Sequence, residues 1–202
     1  MATPTRPGGR TAAVRTAVLR ATGDLLVESG LAGVELTAVA DRAGVGKSTV
    51  YRRWATVPGL VADLLVDMAE TSSPRARTGT LRGDLLANAR LIRRTLADPR
   101  QGRLFKAVIA AAACDPVTAT ALEGFYEARL VELAPVVTDG VERGEAPAGT
   151  EAADVIRYVS APLYYRFLTT TGSLTVKDAE RAVDAALAAV NAGVFIGTRG
   201  RG

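Results

Sequence analysis

Apolar residues along this chain recur at spacings of three and four, and no stretch shows convincing alternation at two. Val14, Val18, Ala21, Leu25 and Leu26 share one face of a helix predicted over about residues 11–29, which Gly30 ends just past its last turn. A short helix over about residues 36–43, a Gly44-Val45-Gly46 turn and a third helix over about 47–54 follow. Pro58 stands near the start of a fourth, whose apolar set includes Leu60, Leu64, Leu65 and Met68. Residues 71–80 are rich in Ser, Thr, Pro, Gly and Arg and read as a loop. Thr80 can cap a helix that ends near Asp98. Asp98-Pro99 and Asp115-Pro116 each place a capping aspartate before a proline at the first helical position. They open helices over about 100–113 and 116–139, the second expected to bend or shorten at Pro135. Beyond a Gly/Pro-rich loop at 140–150, a helix spans about 151–171. A last helix starts at the capping-box variant Thr175-x-x-Asp178 and runs to about Phe195. The expectation is an all-α fold of about nine helices, without repeats.

Composition narrows the chemistry. The 202 residues suffice for one ordinary domain plus a small one, and at 48% apolar residues the chain can bury a core. There is no histidine, which removes the usual general base and the commonest zinc ligand. The single cysteine, Cys114, allows neither an intrachain disulfide nor a thiolate metal site, and beside Ala-rich sequence it reads as a small core residue. No catalytic residue, metal site or cofactor is expected. The first ten residues are polar and Gly/Pro-rich, read as a flexible arm, and carry no apolar stretch of the signal-peptide kind. No run approaches a membrane span, so no membrane partner is expected and a reduced, cytoplasmic location fits.

Charge is segregated. Residues 1–56 hold 8 Lys/Arg against 4 Asp/Glu, whereas residues 57–202 hold 17 of each, so the whole net charge of +4 sits in the first quarter. A basic module joined to a neutral one points to a polyanion partner for the first part; a solvated basic face is the plain alternative. Residues 35–54 favour the first reading. Two short helices there meet across a turn at Gly44, with the small Ala40 four residues before it and Val39, Val45 and Val50 as apolar pins. The opposite face of the second helix carries Lys47, Ser48, Thr49, Tyr51, Arg52 and Arg53, the donors and cations that a recognition helix needs in a major groove. Gly46-Lys47-Ser48 imitates a phosphate-binding loop, but Asp41 occupies the place of that motif's first glycine and no apolar strand precedes it.

This stretch resembles the TetR family of tetracycline-repressor-like regulators. The resemblance runs from Val18-Leu19-x-Ala21 through Leu25-Leu26-x-Glu28-x-Gly30, peaks over residues 39–54 and fades beyond Leu60. It implies a DNA-binding domain over about 12–72, with its helix-turn-helix at 35–54, and a helical sensing and dimerisation domain over about 80–196. It implies a sequence-specific regulator, a repressor released from a palindromic operator by a small-molecule effector. Tyr51 matches a tyrosine that contacts phosphate, and Arg52 and Arg53 match positions that read bases or backbone. Glu35 departs from the family's Thr or Ser at that slot, so Thr37 is the expected substitute; Val57 stands where a lysine is common.

Further expectations fall on the second domain. The resemblance makes Phe105, Phe125, Tyr126, Tyr164, Tyr165 and Phe167 candidates to line a ligand pocket, with core or interface packing as the default. Arg90, Arg93 and Arg94 read first as a solvated face and second as an anion contact. The final helix carries Val176, Ala179, Val183, Ala186, Leu187, Val190 and Val194 as one stripe, and the preceding one offers Val159 and Leu163. Of these, Val159, Leu163, Val183, Leu187, Val190 and Val194 are the candidates for a homodimer interface of the four-helix-bundle type. The rival class is an all-α enzyme, which this composition leaves without an obvious catalytic set.

Overall fold

The computed structural model describes residues 7–197, with side chains from residue 11. Among the described residues the chain is all-helical, and it divides into two compact units. The first comprises the chain up to Ser72 together with Arg103–Phe125; the second comprises Ser73–Gly102 and the chain from Tyr126 onward.

The first unit contains α1 (Pro7–Ser29), a 3-10 turn (Leu31–Gly33), α2 (Leu36–Ala43), α3 (Lys47–Arg53) and α4 (Val57–Glu70). Helix α1 packs on α2 and α4, and α2 packs on α3. Their shared core is Val18, Leu19, Leu26, Val39, Val50, Leu60 and Leu65, all fully buried. Helix α1 starts at Pro7, one turn before the periodicity predicts. The expected flexible arm thus gives its last residues to a helix, and residues 1–6 of it lie outside the described residues.

The second unit holds α5 (Leu81–Ala97), α8 (Ala152–Thr169) and α9 (Val176–Asn191), with α9 packed against both others. Helices α6 (Pro99–Ala112) and α7 (Pro116–Glu142) pass between the units in sequence. The caps read from the sequence are made as side-chain bonds. Asp98 Oδ1 accepts from the backbone N–H groups of Arg100 and Gln101 at 3.0 and 2.8 Å. Asp115 Oδ1 accepts from Thr118 N at 2.7 Å, Thr80 Oγ1 from Gly83 N at 3.1 Å, and Thr175 and Asp178 close a full capping box.

Three sequence expectations change. Helix α7 continues through Pro135 to Glu142; the carbonyl that Pro135 leaves free belongs to the exposed Val131. Helix α9 stops at Asn191 because Gly193, at φ 74°, turns the chain so that Phe195 can meet the start of α8, where Glu151 N donates to Phe195 O at 2.7 Å. Cys114 is exposed rather than buried, since α6 has ended and the residue lies in the turn before Asp115.

Candidate nucleic-acid interface

The turn between α2 and α3 is built by backbone geometry. Gly44 lies in the left-handed region (φ 67°, ψ 32°), where a side chain would be strained. That conformation lets the N–H groups of Gly44 and Val45 return to the last carbonyls of α2, at Asp41 and Ala40. Helix α3 packs on α2, and Val50, Val39 and Ala40 are all fully buried, with Val45 half-buried in the turn.

With Val50 turned inward, the rest of α3 faces out. Lys47, Ser48, Tyr51, Arg52 and Arg53 are exposed, Tyr51 to 51%, and Thr49 is half-buried. Lys47 Nζ stands 3.7 Å from Asp41 across the turn. Both groups are well exposed, so this pair is weak and open to exchange for a phosphate. Arg53 lies over the Trp54 ring at 5.0 Å, which holds its guanidinium near the end of the helix. Thr37 Oγ1 donates to Glu35 at 3.3 Å, and Glu35 makes no side-chain cap bond to α2. The expected substitute for a capping hydroxyl is therefore engaged with the carboxylate that stands in the cap position.

A clamp behind the recognition helix escaped the sequence reading. Trp54 is 5% exposed, and its Nε1 donates to Asp63 Oδ2 at 2.9 Å. Arg15 of α1 donates to Asp63 Oδ1 at 2.7 Å and also bridges Asp67. Burial pushes the Asp63 carboxyl up, but the bonds from Arg15 and Trp54 outweigh it and hold the pKa below the usual value. Helix α1, helix α4 and the end of α3 are thus tied at one carboxylate. Arg15 and Arg42 are paired, the latter 2.6 Å from Glu28, whereas Arg52 and Arg53 stand exposed on α3 and Lys47 has only its weak pair with Asp41.

The other candidates are dispersed. Phe105 and Phe125 pair edge-to-face at 5.8 Å in the first unit. Tyr126 and Tyr164 do so at 5.7 Å in the second, where burial pushes the Tyr164 phenol well above its usual pKa. Phe167 is buried, and Tyr165 is 71% exposed and points away from any core. Val159, Leu163, Val183 and Val190, expected at a partner surface, are at most 1% exposed and pack into their own chain's core. One stripe on α9 can face only one way, and it faces α5 and α8. Leu187 is half-buried and Val194 exposed. The outward side of the same two helices carries Ala161, Pro162, Tyr165 and Leu168 on α8 and Ala185, Ala188 and Ala192 on and after α9. No described helix is long and apolar enough to cross a membrane.

Comparison with known proteins agrees with this arrangement. Residues 18–64 match the family described as bacterial regulatory proteins, tetR family, and residues 75–186 match the tetracyclin repressor-like C-terminal domain. The HTH-type transcriptional regulator AqdR of Rhodococcus erythropolis is 31% identical over 147 residues, 73% of this chain and 70% of that protein. The HTH-type regulator YdeS of Bacillus subtilis is 28% identical over 155 residues, 76% and 78% of the two chains. The crystal structure of the TetR family regulator SCO0332 is 28% identical and superposes with a TM-score of 0.68 over 88% of this chain and 98% of that one. The chain belongs to the TetR family of helix-turn-helix transcriptional regulators, DNA-binding proteins rather than enzymes.

Proposed function

We propose that this regulator is a repressor that binds an inverted-repeat operator as a homodimer and is released by a small molecule held in its second unit. The observation that carries the reading is the two-sided α3: Val50 is locked into the core while Lys47, Ser48, Tyr51, Arg52 and Arg53 stand in solvent on one short helix. In this reading Lys47, Tyr51 and Arg53 meet phosphates, Ser48, Thr49 and Arg52 meet base edges, and Thr37 reaches the backbone beside Glu35.

One such helix reads only a few base pairs, so specificity calls for two copies. The outward side of α8 and α9 suits the second copy. Its alanines and Pro162 allow close helix approach, and Tyr165 offers a large exposed apolar ring. Release requires only that the effector bind the DNA-incompatible conformation more tightly than the competent one. The test is fluorescence anisotropy with DNA from upstream of the coding sequence against a random duplex. The reading expects binding at least about a thousandfold tighter to the former at physiological salt, falling steeply as salt rises. Equal affinity for both duplexes would refute it.

A further inference from the structure

Within the second unit, the segment Ser73–Ala76 folds against α5 and α7 to form a cleft of about 120 Å³. Its polar lining is Ser73, Arg75, Asn88, Arg94 and Arg129, and Pro74, Leu91 and Leu133 supply apolar walls. Asn88 is only 7% exposed, yet its Nδ2 has no hydrogen-bond partner. A buried amide donor without an acceptor is costly, and a chain keeps one where something else supplies the acceptor. The neighbouring charges indicate what that acceptor is. Arg129 is half-buried, and its guanidinium donates to the Ser73 carbonyl at 3.3 Å. Burial pushes its pKa down, with Glu132 offsetting this only in part. Glu132 accepts from the backbone N–H of Arg75 at 3.0 Å. Three arginines thus line the cleft beside the unpartnered amide, and no carboxylate is among its lining residues.

We propose that this cleft binds a small organic carboxylate, its anionic head held by Asn88, Arg75, Arg94 and Arg129 and its short apolar body laid against Pro74, Leu91 and Leu133. Arginine forks match a planar carboxylate in bidentate fashion, and the amide supplies a further donor. The volume sets the size, since a cavity of about 150 Å³ takes up benzene. Apolar walls favour an organic acid over a bare inorganic anion. The inference deepens the effector reading above and rests on it for its regulatory meaning: Ser73–Ala76 is where the chain passes from the first unit to the second, so a ligand there grips the connecting segment itself.

The test uses benzoate as probe, with its neutral isostere benzamide and inorganic phosphate as controls, at constant ionic strength on the full chain. The readout is the Asn88 side-chain amide resonance, assigned by its loss in Asn88→Leu. Benzoate is expected to shift this resonance saturably, with a dissociation constant of about 1–10 mM. Benzamide and phosphate should each bind at least about tenfold more weakly, and Arg94→Gln, an exposed position that leaves the core intact, should cost benzoate about tenfold. No saturable shift by benzoate, equal binding of benzamide, or unchanged binding in Arg94→Gln overturns the proposal; phosphate binding as tightly as benzoate overturns its choice of a carboxylate. Operator affinity measured with and without saturating benzoate separates the two readings. Binding at Asn88 with unaltered operator affinity keeps the site and refutes its role as the effector site.

Discussion

Asp63→Ala removes the carboxylate at which α1, α4 and the end of α3 are tied. The variant leaves the Trp54 N–H buried without an acceptor, a cost of about 1–3 kcal/mol, and it deletes charge-assisted bonds from Arg15 worth about 1.5–3 kcal/mol. Arg15 and Asp63 keep 20% and 24% of their side chains in water, which places the charged part at the low end. The expected loss is about 3 kcal/mol for the first unit. Trp54 is the sole tryptophan, so its fluorescence reports this unit without interference from the other. With a denaturant slope near 2 kcal/mol/M, the urea midpoint should fall by about 1.5 M. The effect should depend on pH in a defined direction. The folded pKa of Asp63 is depressed, so its contribution is fully present above the unfolded value of about 3.9 and disappears as pH falls through the folded value. Wild type and variant should therefore draw closer in strong acid, where only the Trp54 bond still separates them, and differ most near neutrality. A midpoint that moves by less than about 0.3 M at pH 7, or a difference that persists unchanged in acid, would refute the clamp.

Three further outcomes are expected. Lys47→Ala should weaken all DNA sequences alike and reduce the log-log salt slope by about one unit, whereas Arg52→Ala should cost about 1–3 kcal/mol on the operator and relax preference at one or two base pairs. Glu35→Thr should strengthen DNA binding by removing a carboxylate from the phosphate side of α2 and should stabilise α2 by about 0.5–1 kcal/mol through a restored cap, read as tighter anisotropy curves and a higher urea midpoint. Tyr165→Glu, on the outward face of α8, should give folded monomers by light scattering and lose operator binding; Val190→Lys, inside the core, should instead unfold the second unit, which circular dichroism distinguishes.

Much of this was legible in the sequence because the signals are local. Asp98, Asp115, Thr80 and Thr175 cap helices within three residues of themselves, and Gly44 with Ala40 and Val50 fixes the helix-turn-helix over a span of eleven residues. What escaped depends on partners distant along the chain. Arg15 and Asp63 lie 48 residues apart, and no periodicity links them. The only hint was two acids one turn apart, Asp63 and Asp67, on the polar side of α4. Spacing places the α9 stripe correctly and shows that Val183 and Val190 share a face, but its assignment to a second copy fails, because that face meets α5 and α8 and no local signal says so. The six aromatic residues were grouped by type, and the fold scatters them over both units. Arg94 was noted on α5 as a secondary anion contact, whereas Asn88 and Arg129, which join it in the cleft, gave no local signal.

In the proposed reading, two copies of α3 recognise a symmetric site. Hydroxyl-radical footprinting on the chain's upstream DNA tests it most directly. The expected pattern is two protected half-sites in inverted repeat, with centres about 34–36 Å apart or a multiple of that, appearing together as protein is added. Protection of a single half-site by a monomer, or uniform protection along the duplex without sequence preference, would contradict it.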